Sequence, residues 1–254
     1  MSTNTIEPIA TEATIGRVTL LTPQDVLDTL ASIREPVVTT ILDPWYNKGV
    51  GGIRHDYREW LNTVVAESSR ISQHVFVWGF PEIVYTVLEC LPPQFSLVAW
   101  LTWYYKNCPS VIRGWRSAQY ACLHLAREGA QLYPERFLNE AQLERKRQGK
   151  LRYMPGPASV FEVPLNVGFV GKREQTGHPA QKPLKVIEPL ILMTTREQDL
   201  VLDPMCGAGT TGMVCQALNR RAILCDASTQ WTEVTKRRLI ANLGETEWNG
   251  KMLL

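Results

Sequence analysis

Two short motifs in this chain have the residue types and spacing to do chemistry. Asp43-Pro44-Trp45-Tyr46 follows the apolar run of residues 37–42, and Asp203-Pro204-Met205-Cys206-Gly207-Ala208-Gly209-Thr210 follows the apolar residues 200–202. Each reads as a buried strand ending in an Asp-Pro turn. The first motif offers a carboxylate beside aromatic rings, which could hold an amine by hydrogen bonds and stack on a planar ring. The second offers a glycine loop opening into a helix, where the backbone can approach a ligand closely and free N–H groups point at it. Taken singly, each could equally be a tight turn over core side chains.

Gly207-Ala208-Gly209-Thr210-Thr211-Gly212 matches G-x-G-x-x-G, and Asp226 ends the next strand about 20 residues on, where a carboxylate can accept from two ribose hydroxyls. Dinucleotides and S-adenosylmethionine share this geometry. Asp203, just ahead of the glycines, would pair well with a methionine ammonium and poorly with a pyrophosphate. The chain after Gly212 is also too short for a second dinucleotide half. A sulfonium methyl donor at this edge gives the first motif a task. An exocyclic amine conjugated to a base ring is a poor nucleophile. The Asp43 carboxylate and the Pro44 carbonyl, both accepting from it, would draw it toward tetrahedral geometry and stabilise its developing positive charge. Tyr46 or Trp45 would stack on the base, an effect of about 1–3 kcal/mol per base. That offsets part of the cost of flipping the base out of a duplex, a few kcal/mol.

The elements around these motifs alternate. Strands are expected at residues 17–21, 37–42, 74–79, 95–105, 118–126, 200–202 and 222–225. Helices are expected from Thr22 as N-cap with Pro23 at N1, and over 57–69, 81–90, 210–218 and 231–243, with another after the turn at 177–183 carrying Val186, Ile187, Leu190 and Ile191 inward. Such alternation predicts an α/β fold with a mostly parallel sheet, Rossmann-like and covered by helices on both faces. Residues 1–14 read as a fraying N-terminus, 15–243 as the main domain, 130–165 as an insertion without a core strand, and 244–254 as a tail. Residues 47–52, with three glycines, read as a loop that orders on ligand binding.

Bulk composition adds limits. The 254 residues are 44% hydrophobic with net charge +2, so charge alone does not point to nucleic acid. Its distribution does more: residues 113–152 hold nine Lys/Arg against four Glu, leaving the rest slightly acidic. That suits a phosphate-facing surface, although a solvated helix reads the same way. The six cysteines form no C-x-x-C pair, which argues against zinc and fits a reducing cytosol. No apolar run reaches the ~18 residues of a membrane span.

These motifs, in this order, resemble the β group of amino-methylating DNA methyltransferases. In that group a D/N/S-P-P-Y/F/W catalytic motif comes first, then a recognition region, then an H-P-x-x-K-P turn, then D-P-F-x-G-x-G-T. Here His178-Pro179-Ala180-Gln181-Lys182-Pro183 supplies the turn, and the resemblance covers roughly residues 15–243. The order is a circular permutation of the usual methyltransferase arrangement. Trp45 replaces the usual second proline and Met205 the usual Phe.

The resemblance implies an S-adenosylmethionine-dependent methyltransferase, releasing S-adenosylhomocysteine, that acts on the N6 amine of adenine in double-stranded DNA. N4 of cytosine is the alternative target. It implies that Asp43, Pro44, Trp45 and Tyr46 hold the base. It implies that His178, Lys182, Pro183, Asp203, Pro204, Met205, Cys206, Gly207, Gly209, Thr210 and Asp226 hold the cofactor, with Lys182 and Pro183 beside its methionine part. Asn47, Lys48, Arg113, Arg116, Arg145, Lys146 and Arg147 are the candidate DNA contacts, and residues 130–165 fall where the family reads sequence. A homodimer, a cognate restriction endonuclease and a bacterial or phage setting in the cytoplasm are its further implications; no metal and no membrane are expected. An RNA or protein-glutamine methyltransferase, a catalytically weak DNA-binding subunit and a nicotinamide oxidoreductase are the competing readings.

Overall fold

The computed structural model describes residues 12–47, 52–107 and 114–244. The chain forms β1 (Ala13–Ile15), β2 (Val18–Leu20), α1 (Val26–Ser32), β3 (Val37–Leu42), α2 (Tyr57–Ile71), β4 (Ser72–Gly79) and the short α3 (Pro81–Val84), which tightens into a 3-10 helix over Tyr85–Cys90. It continues through β5 (Phe95–Tyr104), β6 (Gln119–Arg127), a 3-10 turn (Pro134–Phe137), α4 (Glu140–Arg147), β7 (Val160–Glu162), α5 (Leu184–Thr194), β8 (Leu200–Asp203), α6 (Thr210–Ala217), β9 (Arg221–Leu224) and α7 (Thr229–Gly244).

All nine strands join one sheet in the order β1-β2-β9-β8-β3-β4-β6-β5-β7. The run β2-β9-β8-β3-β4 is parallel throughout, while β6 is antiparallel to both β4 and β5. From β3 the chain crosses to β4 on one side, and from β8 it crosses to β9 on the other. The carboxyl ends of β3 and β8 therefore flank a topological switch point, where open α/β sheets bind ligands.

Residue alternation along the central strands divides the core. Ile41, Phe76 and Trp78 face α5 and α6 through Val186, Ile187, Ile191, Val214 and Cys215. Leu42, Val75 and Val77 face α1 and α2 through Leu30, Trp60, Leu61, Val64 and Val65. Each fully buried aliphatic side chain contributes about 1.5–3 kcal/mol. The buried hydroxyls within this core are paired: Thr39 bonds Thr194 at 2.8 Å and Thr40 bonds Ser72 at 2.6 Å.

Several expectations are corrected. The first helix starts after Asp25, whose carboxylate accepts from Leu27 N–H at 2.8 Å; Thr22 is not its cap. Residues 13–15 form a strand paired antiparallel with β2, reversing at Gly16 with φ +61°, so Ala13 and Thr14 do not belong to the expected fraying segment, and residues 1–11 lie outside the described residues. The segment 130–165 contributes a sheet strand after all: β7 pairs parallel with β5 at the edge, and Trp103 Nε1 donates to Val163 O at 2.7 Å behind it. Residues 48–51, in the expected ordering loop, and the tail beyond Gly244 lie outside the described residues.

Candidate active site

Three neighbouring parallel strands, β3, β8 and β9, end in or just before a carboxylate: Asp43, Asp203 and Asp226. They line one cleft of about 640 Å³ together with Tyr46, Lys182 and the glycine loop. That is the size of a cofactor site.

At the β3 end, the buried Lys182 ammonium donates to both Asp43 oxygens, at 2.6 and 2.7 Å, and to Tyr46 Oη at 2.6 Å. Tyr46 Oη in turn donates to Asp43 Oδ1 at 3.0 Å. Around this triad stands an aromatic box. Tyr46 stacks on Tyr120 with centroids 5.0 Å apart, and Phe80 meets Tyr46 edge-on at 5.0 Å. Lys182 Nζ lies 5.3 to 5.9 Å from the ring centroids of Tyr46, Tyr120, Trp78 and Trp103, a cation–π setting that helps compensate its desolvation. Burial, with the Asp43 charge alongside, pushes the Tyr46 phenol well up, so it stays a neutral donor.

At the β8 end, Asp203 is buried. Its oxygens accept from Met205 N–H at 3.2 Å and from the Thr211 hydroxyl at 2.5 Å, and neither donor carries charge. Burial pushes its carboxyl up to about 7; the Thr211 hydrogen bond opposes that rise and the Asp43 charge adds to it. A cationic ligand group is what this carboxylate lacks, and the ammonium of an amino-acid moiety would supply it.

The glycine loop is built for close approach. Gly207 and Gly209 have φ +49° and +73°, and a Cβ on Gly209 would stand 2.6 Å from Thr235 Cγ2. Asp226 accepts from Gly207 N–H and Ser228 N–H, each at 2.9 Å, which leaves further lone pairs on both oxygens for hydroxyls. His178 covers the loop, with its ring 4.4 Å from that of Trp231. Burial lowers the His178 pKa and favours the neutral ring. Thr210 Oγ1 donates to Lys182 O at 2.9 Å, tying the glycine loop to the 178–183 turn. The residues present thus fit an adenosyl–amino-acid cofactor: a carboxylate for ribose, a glycine-lined approach and a buried carboxylate for an ammonium.

Of the expected cofactor residues, His178, Lys182, Asp203, Pro204, Met205, Cys206, Gly207, Thr210 and Asp226 line the cleft. Pro183 is buried as the cap residue of α5, and Gly209 serves the turn. Lys182 differs from expectation: its backbone meets the glycine loop, but its side chain runs to Asp43 at the base end. Trp45 also differs. It packs on Trp60 at 4.7 Å and Tyr57 at 5.3 Å, away from the Tyr46 stack, so it forms cleft wall and not a second base platform.

The basic candidates are not brought together. Lys48 and Arg113 lie outside the described residues. The Asn47 amide is engaged locally, donating to Arg54 O at 2.9 Å and accepting from Arg54 N–H at 2.6 Å. Arg116 is exposed, just ahead of the start of β6 on the cleft side of the sheet. Arg145, Lys146 and Arg147 are exposed on α4, but the chain enters α4 from the other side. Tyr133 N–H donates to Met193 O at 2.9 Å and Arg136 to Leu192 O at 2.7 Å, at the α5 end remote from the cleft. Sequence reasoning missed Phe80, Tyr120, Thr211 and Trp231. Only the sheet order brings Tyr120 to Tyr46.

A switch-point cleft with a cofactor loop at one end and a carboxylate–aromatic pocket at the other defines a group-transfer enzyme of the Rossmann-like methyltransferase class. The DNA methylase family of N6 and N4 enzymes matches residues 39–237. The chain belongs to that family. The type II methyltransferase M.HpaI of Haemophilus parainfluenzae is 30% identical over 83% of this chain and 68% of its own length. The DNA adenine methyltransferase YhdJ of Escherichia coli K12 is 27% identical over 84% of this chain and 80% of its own length. Among solved structures, the M1.HpyAVI–SAM complex superposes with TM-score 0.66 at 20% identity, covering 87% of this chain and 98% of that one. The cytosine-N4-specific PvuII DNA methyltransferase superposes with TM-score 0.69 at 16% identity, covering 91% and 93%. At these identities the two structures speak for the fold.

Proposed function

We propose that this protein transfers the methyl group of S-adenosylmethionine to the N6 amine of an adenine flipped out of double-stranded DNA. The observation that carries the reading is the juxtaposition of Asp43, in its aromatic box, with Asp203 and the glycine loop on the adjacent strand. When bound, the cofactor supplies an electrophilic methyl on a sulfonium. The chain does the rest. Asp203 would take the ammonium and Asp226 the ribose hydroxyls. Tyr46, backed by Tyr120, would give a planar ring its stacking surface, and Phe80 would close the side. Asp43 would accept a hydrogen bond from the amine, and the Pro44 carbonyl, from a residue that lines the same cleft, a second. With the cofactor bound, the amine nitrogen held by Asp43 would take the methyl group, S-adenosylhomocysteine would be the leaving group, and the proton shed by the nitrogen would pass to solvent. Asp43 stabilises the positive charge in between. Lys182 is a positioning residue, fixing the carboxylate through two short hydrogen bonds.

Adenine is favoured over cytosine by the aspartate at the first catalytic position and by the likeness to YhdJ, whose name gives adenine. Arg116, at the cleft side, is the described basic candidate best placed for phosphate contact. A homodimer and a partner endonuclease with the same recognition sequence belong to this reading, as does a bacterial or phage-infected cytoplasm; among the described residues no helix is long and apolar enough to cross a membrane.

Mass spectrometry of nucleosides from unmodified duplex DNA, incubated with the protein and methyl-labelled S-adenosylmethionine, tests the reading. Labelled N6-methyladenine is the expected product. Labelled N4-methylcytosine would keep the chemistry and overturn the target. No labelled nucleoside, with cofactor binding demonstrated, would overturn the enzyme.

A further inference from the structure

The turn-rich segment 165–177 does something the transfer chemistry does not require. It forms one wall of a second cavity of about 230 Å³, whose other wall is Tyr46, Trp103 and Tyr120 of the aromatic box. Its tip is apolar and outward. Phe169 is 94% exposed, with the exposed Val167 and Val170 beside it and the exposed Lys172 and Arg173 following. A single exposed apolar side chain needs no explanation. This one is mounted on a stiff frame.

Gly168 and Gly171 turn the chain with φ +59° and +62°. Gln175 Nε2 reaches across the loop to Gly168 O at 3.0 Å and Val170 O at 2.7 Å. At the stem, Asn107 exchanges two hydrogen bonds with Leu165, at 2.8 and 2.9 Å. The Glu174 carboxylate accepts from Asn166 Nδ2 at 3.2 Å and from Leu184 N–H at 3.1 Å, fastening the loop to the start of α5 two residues beyond Lys182. A preorganised loop therefore exposes a bare aromatic ring and two cations, while its flanks, Leu165, Asn166, Val167 and Gln175, line the second cavity against Tyr46, Trp103 and Tyr120.

We infer that Phe169 is a wedge that enters the duplex and occupies the space vacated by the target base, while Lys172 and Arg173 hold the adjacent phosphates. This rests on the reading that the pocket takes a base out of duplex DNA. An extruded base leaves its neighbours unstacked, and an inserted apolar side chain restores part of that stacking. The cations fix the wedge against the phosphate backbone, and the frame keeps the ring from collapsing onto the protein.

The test compares wild type with Phe169→Ala and Phe169→Trp, following labelled methyl transfer to two duplexes that carry a sequence wild type is shown to methylate. One duplex is intact; in the other the target base faces an abasic position and opens at little cost. Phe169→Ala is expected to transfer about tenfold to a hundredfold more slowly to the intact duplex, near wild-type rate to the abasic one, with cofactor affinity unchanged and with activity recovered in Phe169→Trp. Equal loss on both duplexes, or no loss on either, would overturn the wedge. Failure of wild type to methylate any DNA would instead overturn the underlying functional reading.

Discussion

Lys182 and Asp43 lie 139 residues apart in sequence, yet Lys182 Nζ sits 2.6 and 2.7 Å from the two Asp43 carboxylate oxygens, with the ammonium enclosed by aromatic rings. Lys182→Met removes one partner of a largely buried pair and leaves the other poorly compensated, a loss on the order of 3 kcal/mol. Thermal unfolding should show a clearly lowered Tm. Single-turnover transfer should slow by more than about tenfold while cofactor affinity holds. Lys182→Arg should rescue poorly, because a planar fork does not fit a site shaped for a compact ammonium.

Asp203 gives cofactor binding a pH dependence. Its carboxyl stands at about 7 in the free protein, raised by burial, and pairing with a cationic ammonium would lower it. Below pH 7 the free protein holds a proton there that the complex releases. Affinity for S-adenosylmethionine should therefore rise with pH up to about 7 and level off above it. Calorimetry at pH 6.5 in buffers of different ionisation enthalpy should detect proton release, and Asp203→Asn should abolish the dependence along with much of the affinity.

Gly209→Ala should cost both stability and cofactor binding. The position has φ +73°, unfavourable by roughly 1–2 kcal/mol for a residue with a Cβ, and the added carbon would stand 2.6 Å from Thr235 Cγ2. Tm and cofactor affinity should fall together, and Thr235→Ala should recover part of the loss.

Away from the cleft, His74 and His124 form a buried pair. His74 Nδ1 and His124 Nε2 lie 3.1 Å apart, and His74 Nε2 donates to Gln131 O at 3.1 Å, which makes His74 Nδ1 the acceptor from His124. Burial lowers their pKa values to about 4 and about 3, against about 6.5 in the unfolded chain. The unfolded state therefore binds more protons below pH 6.5, and stability must fall as pH drops from 6.5 toward 4. Urea unfolding across that range should show the slope, and His124→Phe should reduce it.

The motif strands were legible because their signals are local. The β-branched run of β3 ending at Asp43, and Leu200–Asp203 ending at the glycine loop, need no distant partner to be recognised. The order of the sheet was not legible, and the box depends on it: Tyr120 reaches Tyr46 only because β6 inserts antiparallel between β4 and β5. The start of α1 was misplaced because Thr22 and Asp25 are both good caps, and the choice falls to where Val26 and Leu30 can be buried. The side-chain direction of Lys182 is not legible in the sequence because a long flexible stem can serve either end of the cleft, and its destination is set by rings from four other segments.

The most direct test of the central claim is Asp43→Ala, measured for S-adenosylmethionine affinity by calorimetry and for single-turnover methyl transfer to duplex DNA. Asp43 belongs to the base end of the cleft and Asp203 to the cofactor end. The account predicts cofactor affinity within a few-fold of wild type and transfer reduced by at least about a hundredfold, the scale of losing one positioned charge stabiliser. Transfer at near wild-type rate in this variant would contradict it.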